Sequence, residues 1–280
     1  MFAFVLIHFG SNIKYLELEI YFLIMLKKKT NNDIIYMYSI NDTPQKFIDI
    51  IKKYCTKTIP YDDNNITFNI DNFKSIYKHF NTLRTCNFMF AFTLEEYEKI
   101  CIIESDMIIK YNIDNIFKLK EPSILYYNKN ASKIDKQYKI TYNKKKLLKI
   151  CHESVPINGG ILLFKPSLET FEKLKKNISL IIKNNCKYPN EILFIYTMNI
   201  FYNLPIRYNY SHYYLGKNKY NIKTIKIYHF NESIYKPLNI IQDNWVDKEQ
   251  NKIKKEIILY FKEKYYNKYH VKIYKLIYLN

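Results

Sequence analysis

The chain switches repeatedly between short apolar runs and longer stretches of helical spacing. Ala3–Phe9 is apolar except for His8 and is followed by Gly10-Ser11-Asn12, which reads as a buried strand ending in a turn. Tyr15–Lys27 carries Glu17 and Glu19 inside an apolar stretch, the pattern of a packed helix and not of a membrane span. Asp33–Tyr38 is a second strand, and Asn41-Asp42-Thr43-Pro44 offers cap candidates and a first-turn proline for a helix through Tyr54. Thr93 and Glu96 have capping-box spacing, which predicts a short helix before Lys99–Ile103, an apolar strand that ends in carboxylates. Further on, Gly159–Phe164 is a strand, Ser167 caps a helix through Ile182, Tyr188-Pro189 opens a helix reaching Phe201, and Thr224–Tyr228 is a late strand.

This succession predicts an α/β fold: a central sheet with helices on both faces and ligands at the carboxyl ends of the strands. One domain over 1–240 is expected, with a basic helical extension over 241–280. The last stretch, Asp247–Asn280, is rich in lysine and tyrosine and has no internal breaker. It either packs on the domain or binds something anionic, and packing is the expectation.

Composition narrows the function classes. With 280 residues, 48% of them apolar, the chain can bury one large core. A net charge of +18 suggests phosphate-bearing partners, yet only Arg84 and Arg207 among the 44 basic residues are arginine. Readers of base edges favour the rigid guanidinium fork, so a sequence-specific nucleic-acid partner is not expected. The accompanying excess of Lys, Asn, Ile and Tyr points to an A/T-rich source genome. Five scattered cysteines without a C-x-x-C pair indicate neither a zinc cluster nor a complete disulfide framework, and a reducing, cytoplasmic setting is expected. Met1–Phe9 lacks a basic leader and is too short to span a bilayer.

The chemistry concentrates in a few places. In Cys101-Ile-Ile-Glu104-Ser105-Asp106 two carboxylates follow a hydrophobic strand, and alternation sends both to one side. Beside a low-dielectric core such a pair calls for a cation, and Mn2+ (or Mg2+) takes carboxylates together with diphosphate oxygens.

The stretch continues Tyr111-Asn-Ile-Asp114-Asn-Ile-Phe117, and the whole segment resembles the D-x-D strand of the glycogenin-like retaining glycosyltransferases, family 8, with Glu104 where the family has Asp. Tyr228-His229-Phe230, followed by Lys236-Pro237, is similar to the family's H-F-x-G-x-x-K-P segment. Val155-Pro-Ile-Asn158-Gly159-Gly160 through Phe164-Lys-Pro166-Ser167 looks like its F-N-[SA]-G strand, and Tyr188-Pro189-Asn190-Glu191 falls where acidic D-Q or E-Q-D strings occur. Ala3 through Tyr15 resembles the nucleotide-binding first strand and turn.

The resemblance implies the GT-A nucleotide-diphospho-sugar transferase fold, with a mostly parallel mixed sheet. It implies a metal held by Glu104, Asp106 and His229 and a UDP-sugar donor contacted by Phe9, Tyr15, Arg84, Ile103, Ser105, Gly160 and Lys236. Asn158, Asn190 and Glu191 would orient the sugar, with Tyr15 stacked on uracil and Lys236 on the diphosphate. The implied acceptor is a carbohydrate or glycoprotein, and a homodimer is left open. Two other readings stay open: an inverting transferase with Glu191 or Asp243 as base, and a nucleotide-sugar-binding protein without turnover, suggested by Glu104 and Asn190.

Overall fold

A computed structural model describes residues 1–65, 84–126, 135–152, 157–184, 186–211, 222–230, 238 and 252–279. Lys236 and Asp243 therefore lie outside the described residues.

Ten described strands form two sheets. The first is eight-stranded: β1 (Phe2–His8), β2 (Asp33–Ser39), β3 (Lys57–Tyr61), β4 (Lys99–Ile103), β6 (Ser123–Tyr126), β7 (Lys139–Thr141), β8 (Ile157–Phe164) and β9 (Ile200–Asn203), in the order 3-2-1-4-8-6-9-7. β5 (Met107–Ile109) and β10 (Ile227–His229) pair separately as an antiparallel ribbon. β1 lies parallel to both β2 and β4, while β8 runs antiparallel to β4 and β6. The chain order reverses at β1, so a crevice opens between the carboxyl ends of β1 and β4.

Strict alternation builds a core on each face of the sheet. Ala3, Val5, Ile100, Ile102, Leu162 and Phe164 face one cluster, while Phe4, Leu6, Cys101, Ile103, Ile161 and Leu163 face the other. Fully burying each large apolar side chain is worth about 1.5–3 kcal/mol. On the first face lie the 3-10 segment Thr85–Thr93, α3 (Lys144–Ile150), α4 (Leu168–Lys183) and α5 (Pro189–Met198). Phe92 stacks on Phe164 there with ring centroids 3.8 Å apart. The opposite face carries α1 (Ile13–Lys27), α2 (Gln45–Ile51), α6 (Lys252–Phe261) and α7 (Asn267–Tyr278), the last two joined by a π-helical turn at Lys262–Tyr266. α1 is buried without interruption from Leu16 to Leu26 because α7 covers the side that the sheet leaves free.

Three local expectations are corrected. Thr93 ends a helical segment instead of opening one: its hydroxyl donates back to the Phe90 carbonyl at 2.8 Å, and Glu96 pairs with Lys57. The helix after Pro189 stops at Met198, since Asn199 takes a left-handed conformation (φ 60°) and releases Ile200–Asn203 into the sheet beside β6 and β7. α2 begins at Gln45 without a side-chain cap: Pro44 takes the cap position, Asn41 bonds to Asp62 and Asp63, and Asp42 bonds to Arg84 in the crevice described next. Ser167 caps α4 as expected, accepting from the Thr170 amide.

Candidate functional site

The crevice is a cavity of about 660 Å³ running from the β1 turn to the residues after β4. At its inner end Glu104 and Asp106 lie in the bend between β4 and β5, not on a continuous strand as alternation predicted. His229 reaches them because β10 pairs with β5 in a register that sets His229 opposite Met107, while the Phe230 amide donates to the Asp106 carbonyl at 3.0 Å. His229 Nε2 stands 3.3 Å from Glu104 Oε2 and 3.4 Å from Asp106 Oδ1, and one ligand atom from each of the three residues falls within 4.8 Å of the others.

Two oxygens and an imidazole nitrogen at this spacing fit one divalent cation. Burial alone would depress the His229 imidazolium, but Asp106 and Glu104 outweigh it and lift its pKa to about 9. A proton on Nε2 thus occupies the place a cation would take.

Behind the imidazole lies a chain of two amides, the expected site residue Asn158 and Asn209, which no sequence motif marks. His229 Nδ1 meets Asn209 Oδ1 at 2.9 Å, Asn209 Nδ2 donates to Asn158 Oδ1 at 2.8 Å, and Asn158 Oδ1 also accepts from the Gly160 amide at 3.0 Å. An accepting Asn209 fixes the Nδ1–H tautomer and leaves Nε2 free to coordinate. Asn209 is held by the turn Ile206–Tyr208 and by backbone bonds that Tyr210 makes across to β10. No motif surrounds it in the sequence.

Gly160 serves the same ring. A Cβ there would come within 2.3 Å of His229 Cε1 and 2.8 Å of the Met107 methyl, so only glycine admits the histidine. Gly160 does not line the cavity, whereas Gly159 and Asn190 do. Glu191 turns under Gly159, whose amide donates to its Oε1 at 3.2 Å, while its buried Oε2 has no hydrogen-bond partner among the described residues. Burial, then the charge of Glu104, pushes the Glu191 pKa up to about 7.

At the outer end the cavity is lined by Phe9, Gly10, Tyr15, Asp42 and Arg84, with Ile103 and Ser105 between the two ends. Tyr15 is 45% exposed. Arg84 is clamped between acids: its guanidinium pairs with Asp42, binds Asp63 Oδ2 at 2.7 Å, and lies 4.6 Å from the Phe9 ring. Hydrogen bonds from Arg84 hold the Asp42 carboxyl below its usual range, and the Gly10 amide adds a bond of 2.9 Å. The arginine is thus committed to shaping the wall. Beneath the turn, His8 is buried with Nδ1 2.9 Å from Glu19 Oε1 and Nε2 2.9 Å from the Gly10 carbonyl. Both nitrogens face acceptors, which requires an imidazolium, and Glu19 raises the His8 pKa against the opposing effect of burial.

No family model matches the chain. An uncharacterized protein of Acanthamoeba polyphaga mimivirus is 28% identical over 250 residues, covering 85% of this chain and 83% of that protein. Among solved structures, the galactosyltransferase LgtC, determined with donor and acceptor sugar analogues, superposes with a TM-score of 0.56 at 10% identity, covering 96% of this chain and 99% of its own. GlyE of Streptococcus pneumoniae, a glycosyltransferase, gives 0.56 at 15% identity over 96% of this chain, which spans 63% of GlyE. The bifunctional glycosyltransferase WbbM gives 0.54 at 14% identity over 91% of this chain, which spans half (50%) of WbbM. The fold is GT-A, a large mixed sheet flanked by helices, as in these glycosyltransferases.

Proposed function

We propose that this chain is a metal-dependent glycosyltransferase that moves a hexose from a UDP-sugar to a hydroxyl of a carbohydrate or glycoprotein acceptor, with retention of anomeric configuration. The observation that carries the reading is the convergence of Glu104, Asp106 and His229 on one end of a cavity whose other end is the β1 turn. A divalent cation such as Mn2+, held by these three, supplies stabilisation for the charge that develops on the departing diphosphate.

The chain's own residues divide the remaining work. Phe9 and Tyr15 hold the base by apolar contact and stacking at the outer end. Ile103 and Ser105 lie along the donor, and Asn190 offers its amide to the sugar hydroxyls. Asn158, Gly160 and Asn209 act on His229, setting its position and tautomer, and do not touch the sugar. Lys236, outside the described residues, is assigned to the diphosphate by resemblance. Because Glu191 is turned away from the cavity, no α5 carboxylate is offered as a base. The departing phosphate oxygen then accepts the acceptor's proton on the same face, which gives retention.

A thermal-shift panel of UDP-glucose, UDP-galactose, UDP-xylose and UDP-N-acetylglucosamine with and without Mn2+ tests this. One donor should raise Tm in the presence of the metal and not without it, because only a ligand that prefers the folded state stabilises it. Equal shifts without metal, or none with any donor, would remove the proposal. Product NMR then checks the anomeric configuration.

A second reading is binding without turnover. It is favoured by one observation: the α5 residue that lines the cavity is an amide, Asn190, and the adjacent acid is buried. Calorimetric donor binding with no UDP release over long incubation would support it.

A further inference from the structure

The C-terminal helix pair is only half explained by packing. Ile273 and Ile277 of α7 are buried, and Tyr21 of α1 lies against Tyr266 and His270. The opposite side of α7 has no cover among the described residues, and its composition is uneven. Lys264, Lys268, Lys272 and Lys275 recur at three- and four-residue spacing along the exposed side, and no Asp or Glu occurs after Glu263. Interleaved with them on the same side are Val271 (65% exposed), Leu279 (67% exposed), Tyr274 and Tyr278. On a helical wheel these eight positions occupy one continuous arc, with the tyrosines and Val271 along one edge and most of the lysines along the other.

We propose that this face docks the protein on an anionic lipid bilayer. Lysine ammoniums are drawn to acidic headgroups, exposed aliphatic side chains enter the acyl boundary, and tyrosine suits the interface between them. A nucleic acid would exploit the charge but gains nothing from exposed Val271 and Leu279, and the face contains no arginine for base or phosphate forks.

A second feature extends the basic surface. Lys27 and Lys28, at the end of α1, are exposed, and Lys28 Nζ donates to the Tyr269 hydroxyl at 2.7 Å. Lys28 lies beside Tyr269, and His270 Nδ1 is 3.9 Å from Glu17 Oε1.

Co-sedimentation of the full chain with phosphatidylcholine vesicles, alone or mixed with phosphatidylserine, tests the proposal. Binding should require phosphatidylserine and weaken with salt. The combined variant Lys264→Glu, Lys268→Glu, Lys272→Glu, Lys275→Glu should keep the wild-type Tm and lose partitioning by at least roughly fivefold per lysine. Val271→Ser with Leu279→Ser should also weaken vesicle binding while leaving any oligonucleotide binding unchanged. Equal binding to neutral vesicles, no binding to either, indifference to the lysine or Val271/Leu279 changes, or tighter binding to an oligonucleotide than to acidic vesicles at the same salt would each overturn it.

Discussion

The two ends of the cavity are charged in opposite senses of the word. At the outer end every charge has its partner inside the protein: Arg84 lies between Asp42 and Asp63, and His8 is matched to Glu19. At the inner end two carboxylates and one imidazole are brought together with a single proton's worth of compensation, and the groups behind them are spent on holding the ring. One end is a wall whose acids are tied up by the Arg84 guanidinium and by hydrogen bonds from Gly10, Ser39, Asn41 and Asn87, and it offers shape and aromatic surface. The other is an incomplete coordination shell, and that difference separates a site for a base from a site for a cation.

The contrast can be broken most severely at the inner end. Asp106→Asn should remove Mn2+-dependent donor stabilisation and lower turnover by about 10²–10³-fold, since one oriented charge contributes several kcal/mol to such a step. Melting curves with and without Mn2+ and UDP read the first effect, and UDP release reads the second.

Gly160→Ala comes next. The added methyl requires the His229 ring to move, so metal response should fall about as far as when a ligand is lost, with Tm lowered by the equivalent of about 1–3 kcal/mol. Retention of full Mn2+ affinity in a folded Gly160→Ala protein would contradict the close approach at 2.3 Å.

Asn209→Ala should weaken Mn2+ binding by about 10–100-fold while leaving the ligand set intact, the usual cost of losing a partner behind a metal-bound histidine. Titration of Mn2+ by electron paramagnetic resonance gives the number directly.

Arg84→Gln probes the outer end and should behave differently. Two neighbouring acids lose their counter-charge, so stability should fall by about 1–3 kcal/mol, less than for a fully buried pair because Asp42 is partly exposed. The Mn2+ dependence should survive. A variant that keeps its Tm but loses metal response would merge the two ends that the account keeps apart.

A pH dependence completes the series. Glu191 has a folded pKa of about 7, above its unfolded value, so the folded state binds the extra proton. Its contribution is fully present below the unfolded pKa and is lost as pH rises through about 7. Glu191→Gln preserves the acceptor for the Gly159 amide and removes the titration, so it should raise Tm at pH 8 and leave it nearly unchanged at pH 4. A larger gain in acid than in base would reverse the sign.

Much of the frame is readable from the residues because burial on both faces of a sheet imposes period two, which β1, β4 and the Ile161–Phe164 part of β8 obey; Ile157 falls on the other face, across the register shift in the pairing of β8 with β6. The acidic pair and His229 stand at two separate places in the sequence, each resembling a segment of one family's pattern. What escaped was set by tertiary competition for side chains. Thr93 bonds backward, Asn199 turns left-handed, and Asn41 and Asp42 bond to Asp62, Asp63 and Arg84 while Pro44 takes the cap position of α2. Asn209 had no local signature because its role exists only once β10 lies beside β5. Arg84, a candidate donor contact, lines the cavity bonded to Asp42 and Asp63, an arrangement that spacing along the chain does not encode.

The most direct test of the central claim is a crystal structure of the protein with Mn2+ and UDP, with the metal located by anomalous scattering. One peak is expected, bounded by a Glu104 oxygen, an Asp106 oxygen and His229 Nε2, with diphosphate oxygens completing the shell and uracil between Phe9 and Tyr15. A peak elsewhere, or His229 still bridging the two carboxylates while UDP is bound, would contradict it.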